Sequence, residues 1–323
     1  MNFKNKWIVI INLLGVVMFF YMLIGCDSET DPEPQYPTLT REESIPDDAV
    51  KCTPETDLYP PILHVDEWEA PVPVGTPVNT AGAEDSPFIP IDRDELYFFF
   101  TPDVRIPAER QVLDSVTGIY MSEYLNGTFS EPKRVWLQDP GKLALDGAEF
   151  VEGNSMLFVT AREGYTGLHW FSAEFIDGEW ANWQNADFNP DFEVGELHIH
   201  NNELYYHSGR AGGKGQYDIW KLTRVGDEWQ NPEAIEAVNS AEIDGWPYIS
   251  SDGTELWFTR TYSGTPGIFR SVKEAGEWQE PQLIISQFAG EPTLDKNGNI
   301  FFVHHFYEDG VMIEADIYVA YKK

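Results

Sequence analysis

Short apolar and aromatic runs recur along residues 61–323, separated by turns rich in Gly, Asp and Asn. Residues 246–260 (WPYISSDGTELWFTR) give the clearest copy, and related copies begin near residues 86, 148, 196 and 291. A second phrase follows the first four copies and stops early after the last, and it ends in Trp-x-x-Pro at residues 229–232 and 278–281. Aromatic and β-branched runs between turns are typical of half-buried strands. The pattern therefore predicts five repeated units of short β-strands.

Each repeated unit is predicted to contain four strands. The first ends in a turn such as Ser251-Asp252-Gly253, where glycine accepts a positive φ. The last carries the Trp-x-x-Pro phrase, and its proline suits an outer edge, where no ladder hydrogen bond is lost. Five units of about 45–60 residues, each with four strands, are the signature of a propeller. We expect an all-β fold, a five-bladed β-propeller of four-stranded antiparallel blades over residues 61–323.

The two ends of the repeat region complement each other. The last unit stops after its third strand, at residues 315–323 (ADIYVAYKK), whereas residues 66–74 (DEWEAPVPV) match the fourth-strand phrase. We therefore expect the N-terminal strand to complete the last blade by pairing near residues 317–321. This pairing would close the ring and remove an exposed sheet edge.

The repeats resemble the TolB-like, WD-related propeller family. That family's repeat has a proline in its first strand, a Ser-x-Asp-Gly turn, a Leu-x-Phe strand and a Gly-x-x-Asp-Ile-Trp strand. This chain has Pro247, Ser250–Gly253, Leu256–Phe258 and residues 212–220 (GGKGQYDIW), and the resemblance covers residues 65–323. It implies the propeller fold, and it implies a binding platform more readily than any particular reaction.

The first 25 residues have the pattern of a signal peptide. Lys4 and Lys6 precede an apolar run over residues 7–23, and Gly25-Cys26 follows it. The segment resembles the lipobox of bacterial lipoproteins, which implies cleavage before Cys26 and acylation of its sulfur and new amine. The alternative is an uncleaved transmembrane anchor. We expect a protein lipid-anchored to the membrane of the cell envelope, at the outer membrane on its periplasmic side or at the cell surface.

Residues 26–60 are predicted to be an acidic, Pro-rich tether. They carry ten acidic and two basic residues and show no apolar periodicity, so we expect a coil without a core of its own. Of the two cysteines, Cys52 falls in this segment and has no intrachain partner if Cys26 is acylated.

The charge of the chain restricts its partners. The full chain has a net charge of −33, which becomes −35 once residues 1–25, with two lysines and no acids, are removed. Such a charge repels nucleic acid. It favours cations, neutral ligands or basic proteins.

Alignment of the five first strands reveals one acidic residue in each unit. The aligned pairs are Glu84 and Ser86, Asp146 and Ala148, Val194 and Glu196, Asp244 and Trp246, and Ala289 and Glu291. Residues two apart share a strand face, and the innermost strands of a propeller surround its channel. Glu84, Asp146, Glu196, Asp244 and Glu291 are therefore predicted to ring the channel mouth, with Trp246 beside them.

The predicted acidic ring has more than one interpretation. It is suited to a sugar or to a divalent cation such as calcium, although no cofactor is assigned. The alternative is a solvated acidic rim, with Trp246 as a space-filling plug. Glu196, His198 and His200 also share one strand face, and His-x-His is a pattern that chelates zinc or a similar metal. Histidines packed between blades are the alternative to this metal site.

Two classes of function are consistent with these features of the sequence. The sequence contains no Gly-x-Ser-x-Gly, P-loop or Rossmann motif, and no residue is assigned a catalytic role. The first class is a binding or scaffold lipoprotein that presents its propeller to a protein or glycan. The second is a carbohydrate-active hydrolase or lyase, by analogy with five-bladed arabinanase-like enzymes that use carboxylates at the channel mouth.

Overall fold

The computed structural model describes residues 35–125 and 127–323, and the predicted signal peptide and Cys26 lie outside these residues. Residues 35–323 form one compact unit. Within the described ranges, no helix has both the length and the apolar character needed to cross a bilayer.

The fold is a five-bladed β-propeller, as the sequence predicted, and each blade is an antiparallel sheet. Three short elements come before the first strand of blade 1 in the chain: α1 (Arg41–Ser44), β1 (Ile62–Leu63) and β2 (Val72–Pro73). Blade 1 contains β3 (Ala83–Phe88), β4 (Glu95–Thr101), α2 (Ala108–Gln111), β5 (Gly118–Leu125), β6 (Thr128–Phe129) and β7 (Lys133–Arg134). Blade 2 contains β8 (Ala144–Glu152), β9 (Ser155–Arg162), β10 (His169–Ile176) and β11 (Glu179–Asn185), and a 3-10 turn (Pro190–Phe192) follows it. Blade 3 contains β12 (Leu197–His200), β13 (Glu203–Ser208), β14 (Asp218–Val225) and β15 (Glu228–Ala234). Blade 4 contains β16 (Asp244–Ile249), β17 (Glu255–Tyr262), β18 (Thr265–Glu274), β19 (Glu277–Trp278) and β20 (Gln282–Ser286). Blade 5 contains β21 (Ala289–Leu294), β22 (Ile300–Glu308) and β23 (Val311–Ala320).

The core of the propeller is built by the second strands of the blades. Most of their aromatic residues are buried, and Tyr97, Phe158, Tyr206, Trp257 and Phe302 are completely so. Burial of one such side chain contributes about 1.5–3 kcal/mol relative to its exposure to water. The repeated aromatic run in the sequence is thus the packing layer that holds the blades together.

The N-terminal strand closes the ring, and the prediction of closure is confirmed. Val72 and Pro73 pair with Val319 and Tyr318 of β23, so β2 is the fourth strand of blade 5. Trp68 is 1% exposed and packs edge-on against Trp257 of blade 4, with ring centroids 5.6 Å apart. One addition was not predicted: β1 pairs with β20 and extends blade 4 outward.

Residues 35–60, which we call the N-terminal strap, lie against the propeller instead of forming the coil expected of a tether. Arg41 is 3% exposed and contacts Glu84 of blade 1. Lys51 forms ion pairs with Glu314 and Asp316 of blade 5. The difference has a physical reason: polar composition predicts solvation only when charges lack partners, and these charges find partners on two blades.

A histidine in the middle of β22 also binds the strap. His304 Nε2 lies 2.8 Å from a carboxylate oxygen of Asp57, and both side chains are buried. Tyr36 stacks on Trp136, with centroids 4.5 Å apart. The strap therefore contacts blades 1 and 5 along most of its described length.

Candidate functional site

A cavity of about 50 Å³, here called the central cavity, lies where the inner strands of all five blades meet. Its polar lining comprises Ser86, Glu149, Glu196, His198, Glu291 and Thr293, and its aromatic lining comprises Phe88, Trp246 and Tyr248. Glu149, Glu196 and Glu291 belong to three different blades. The propeller therefore brings three carboxyl groups and a tryptophan to its axis.

Four of the five inner strands share a local distortion at this cavity. Ser86, Ala148, Trp246 and Glu291 have φ angles of 49°, 53°, 54° and 54°, in the left-handed region. In each case the register with the second strand shifts at that point, which is a β-bulge. A non-glycine residue in this region costs about 1–3 kcal/mol, and such strain gathers at functional sites. Bulges also redirect side chains next to active sites.

The structure brings Glu196, Trp246 and Glu291 together in the central cavity. It places Glu84, Asp146 and Asp244 elsewhere, and this corrects the predicted ring of five acids. These three side chains are completely buried in ion pairs. Their partners are Arg41 at 3.1 Å from Glu84, Arg162 at 3.0 Å from Asp146 and Arg260 at 2.5 Å from Asp244. The bulge is the reason, because it interrupts strand alternation and residues two apart no longer share a face.

Glu149 is a cavity residue that the sequence analysis missed. Pro87, Pro247 and Pro292 directly follow the left-handed residues in three of the blades, and Glu149 takes the corresponding place in blade 2. An acid at the position of a repeat proline was the signal available in the sequence. Glu149 is 6% exposed, and neither of its carboxylate oxygens has a hydrogen-bond partner.

Burial and neighbouring acids disfavour ionisation of the three cavity carboxyl groups. Burial, with the neighbouring Glu196 as a smaller cause, raises the pKa of Glu149 to about 8. Burial and Asp85 raise the pKa of Glu196 to about 7, while a hydrogen bond from Trp246 Nε1 at 3.1 Å opposes this shift. Burial, with Asp85 and Glu196, holds the pKa of Glu291 well above its usual range. Near neutral pH these groups therefore share protons rather than all being ionised.

His198 lies in the cavity wall among aromatic rings. Its ring centroid lies 4.6 Å from that of Tyr248 and 5.0 Å from that of Phe150. Burial, with His200 as a smaller cause, lowers the pKa of His198 to about 3, so the imidazole is neutral. Its Nδ1 is buried without a partner.

The predicted metal site is not assembled. Glu196 receives the Trp246 indole N–H, and His200 Nε2 lies 2.7 Å from the side-chain nitrogen of Asn201. Across residues 35–125 and 127–323, no group of three or more His, Cys, Asp or Glu side chains is arranged to hold a metal ion. Glu196, His198 and His200 are thus not a converging ligand set, because His198 packs into the aromatic wall. A ligand set for the expected calcium ion is likewise not found among these described residues.

Comparisons with known proteins bear on the fold alone. No protein-family model matches the chain, and no curated protein matches it. Among solved structures, the chain is similar to TolB from Acinetobacter baumannii, at 13% identity and a TM-score of 0.44 over 76% of this chain and 56% of TolB. It is similar to an endo-arabinase from Bacteroides thetaiotaomicron VPI-5482, at 13% identity and a TM-score of 0.48 over 78% of this chain and 97% of the enzyme. The catalytic domain of a Coprinopsis cinerea GH62 α-L-arabinofuranosidase gives 9% identity and a TM-score of 0.51 over 80% and 97%. The chain spans little more than half of that TolB, and at these identities what it shares with such proteins is the β-propeller fold.

Proposed function

We propose that this protein is a cell-envelope lipoprotein of TolB-like type whose propeller is a binding module, with the central cavity as the site for a protein or glycan ligand. The observation that carries the proposal is the convergence of three carboxyl groups and Trp246, with both oxygens of Glu149 unpartnered. Buried polar groups in folded proteins almost always have hydrogen-bond partners. A ligand that donates hydrogen bonds would complete this cavity.

The size of the cavity supports binding over polymer hydrolysis. One water-sized group needs about 10–15 Å³ of such volume, so about 50 Å³ holds only a few groups. The cavity therefore takes the tip of a ligand rather than a sugar chain. Contacts outside the cavity would supply the remaining affinity.

The binding proposal is tested by presenting the mature chain to a glycan array and to envelope proteins in a pull-down. We expect at least one ligand whose capture is lost in Trp246→Ala. Equal capture by wild type and Trp246→Ala would show that the central cavity is not the ligand site.

A glycoside hydrolase is the second candidate function. The cavity holds three carboxyl groups with raised pKa values. A glycosidase uses one such group as its general acid and a second carboxylate as base or nucleophile. The discriminating measurement is sugar release from arabinan and from aryl glycosides. If the protein only binds its ligand, the wild type should release no sugar from either substrate. Release that disappears in Glu149→Gln and Glu196→Gln would make the second candidate the function.

The lipid anchor gives a prediction of its own. Cys26→Ser should move the protein from the membrane fraction to the soluble fraction, because serine cannot take the thioether-linked lipid. Cys52→Ser is the matched control: burial and Glu314 raise the pKa of this thiol to about 12, so it is an unreactive group. Membrane fractionation with detection of the attached lipid gives the answer. A Cys26→Ser chain as membrane-bound as wild type would mean that residues 7–23 are an uncleaved anchor.

A further inference from the structure

We infer that the central cavity receives a primary ammonium group, presented by a lysine side chain of a basic partner protein. This inference rests on the proposed function, since it names the ligand chemistry of the same site. It goes further in assigning both the charge of the ligand and the class of molecule that carries it.

Several carboxylate oxygens of the central cavity lack hydrogen-bond donors. Both oxygens of Glu149 and Oε2 of Glu291 are buried without partners. Glu196 already accepts one hydrogen bond, from the Trp246 indole. Ionised carboxylates only accept hydrogen bonds, and a lysine ammonium has three donors and no acceptor. The unpartnered oxygens, two on Glu149 and one on Glu291, thus equal in number the three donors of one ammonium. A planar guanidinium would instead favour two-pronged contact with a single carboxylate.

The aromatic lining of the cavity suits the aliphatic part of a lysine side chain behind its ammonium. Phe88, Trp246 and Tyr248 line the same cavity. Lysine buries its methylene groups along such apolar surfaces while its charged end reaches polar groups. The small volume fits a narrow stem better than the ring of an amino sugar.

Charged and titratable groups of the protein itself also lie beside the cavity. Asp85 adds a further acid beside the cavity, 3.6 Å from His305. His198 and His207 are neutral, because burial lowers their pKa values to about 3 and about 4. Arg134 is the cation near Glu149, but its guanidinium already donates to the backbone carbonyls of three residues. An incoming cation would therefore meet carboxylate oxygens of Glu149 and Glu291 that have no hydrogen-bond partner in the protein.

The charge of the whole chain indicates which kind of molecule carries the ammonium. The chain without residues 1–25 has a net charge of −35, which attracts basic proteins and accelerates their encounter. Tyr165, Tyr217 and Tyr262 are 45%, 39% and 42% exposed. They lie in or beside the turns between second and third strands, at the end of the propeller where the inner strands begin. A protein surface around its lysine could contact these side chains.

The test is calorimetric titration of the full chain in detergent with Nα-acetyl-lysine methylamide. The Nε-acetylated amide and glucosamine serve as comparison probes. We expect at least tenfold weaker binding of the Nε-acetylated probe and of glucosamine. We also expect affinity to increase about tenfold from pH 6 to pH 8, with proton release, because a bound cation favours ionised carboxyl groups while the lysine stays charged.

Variants assign the effect to the cavity. Glu149→Gln and, independently, Glu196→Gln should each weaken binding at least tenfold, whereas Glu152→Gln, an exposed acid in the same strand as Glu149, should leave it unchanged. Absence of lysine binding, equal binding of the Nε-acetylated probe, or preference for glucosamine would overturn the ammonium inference. Those outcomes would leave the proposed function standing if the array or pull-down still finds a ligand that depends on Trp246.

Discussion

Replacement of Arg41 by alanine is expected to lower the free energy of unfolding by about 3–5 kcal/mol, the typical cost of removing one partner of a buried ion pair. The guanidinium donates to Glu84 Oε1 at 3.1 Å, to the carbonyl of Val78 at 2.8 Å and to that of Pro77 at 2.6 Å. It also lies 5.3 Å from the ring centroid of Phe100. Alanine would leave Glu84 buried without its cation.

Urea unfolding of wild type and Arg41→Ala measures this effect. The control is Arg105→Ala, since Arg105 is 57% exposed and its pair with Asp103 is on the surface, where such pairs contribute about 0–1 kcal/mol. Adding Glu84→Gln to Arg41→Ala should restore part of the loss by removing the unpaired acid. An Arg41→Ala chain as stable as the Arg105→Ala control would mean that the strap does not hold the propeller in solution.

Glu149→Gln is expected to stabilise the protein, and increasingly so as the pH rises. The pKa of Glu149 is about 8 in the fold, against an ordinary value of 4.5 for this side chain. Between these values the folded state binds more protons than the unfolded state, so the wild type loses stability as the pH rises through this window. Each pH unit is worth about 1.4 kcal/mol at most. Glutamine has no proton to lose, so the advantage of the variant should grow from near zero at pH 5 to a few kcal/mol at pH 8.

Thermal unfolding from pH 5 to pH 9 is the measurement for Glu149→Gln. Glu152→Gln removes the same charge from an exposed position of the same strand, so its curve should run parallel to that of wild type. Parallel curves for Glu149→Gln and wild type would show that Glu149 is solvated and ionised in the fold.

The fold was predictable because its determinants are local and repeated. Each unit carries its own strand pattern and turn residues, and the match between residues 66–74 and the fourth-strand phrase indicated closure of blade 5. The course of the strap was not predictable in this way. Lys51 pairs with acids more than 260 positions later in the chain, and composition carries no information about such partners.

The site was predictable only in part. Repeat alignment found Glu196, Trp246 and Glu291, because aligned residues of a propeller occupy equivalent places around one axis. The alignment assumed regular alternation, and the left-handed bulges break that alternation.

The sequence did hold one signal against the predicted ring of acids. Arg162 and Arg260 each stand sixteen positions after their acids, Asp146 and Asp244. This repeated spacing indicates two structural ion pairs. Blade 1 has Phe100 at the equivalent position, so Glu84 takes its cation from the strap instead.

The central claim is that the central cavity is the ligand site, and the most direct test is a side-by-side binding measurement. Wild type, Trp246→Ala, Glu149→Gln and Tyr124→Ala would be titrated with the ligands captured from the array and the pull-down. Tyr124 is 40% exposed at the outer end of β5, away from the cavity lining, and serves as the control. We predict that Trp246→Ala and Glu149→Gln each lose at least tenfold in affinity for the same ligand, while Tyr124→Ala binds as wild type does. Equal affinity of all four chains for every captured ligand would contradict the account.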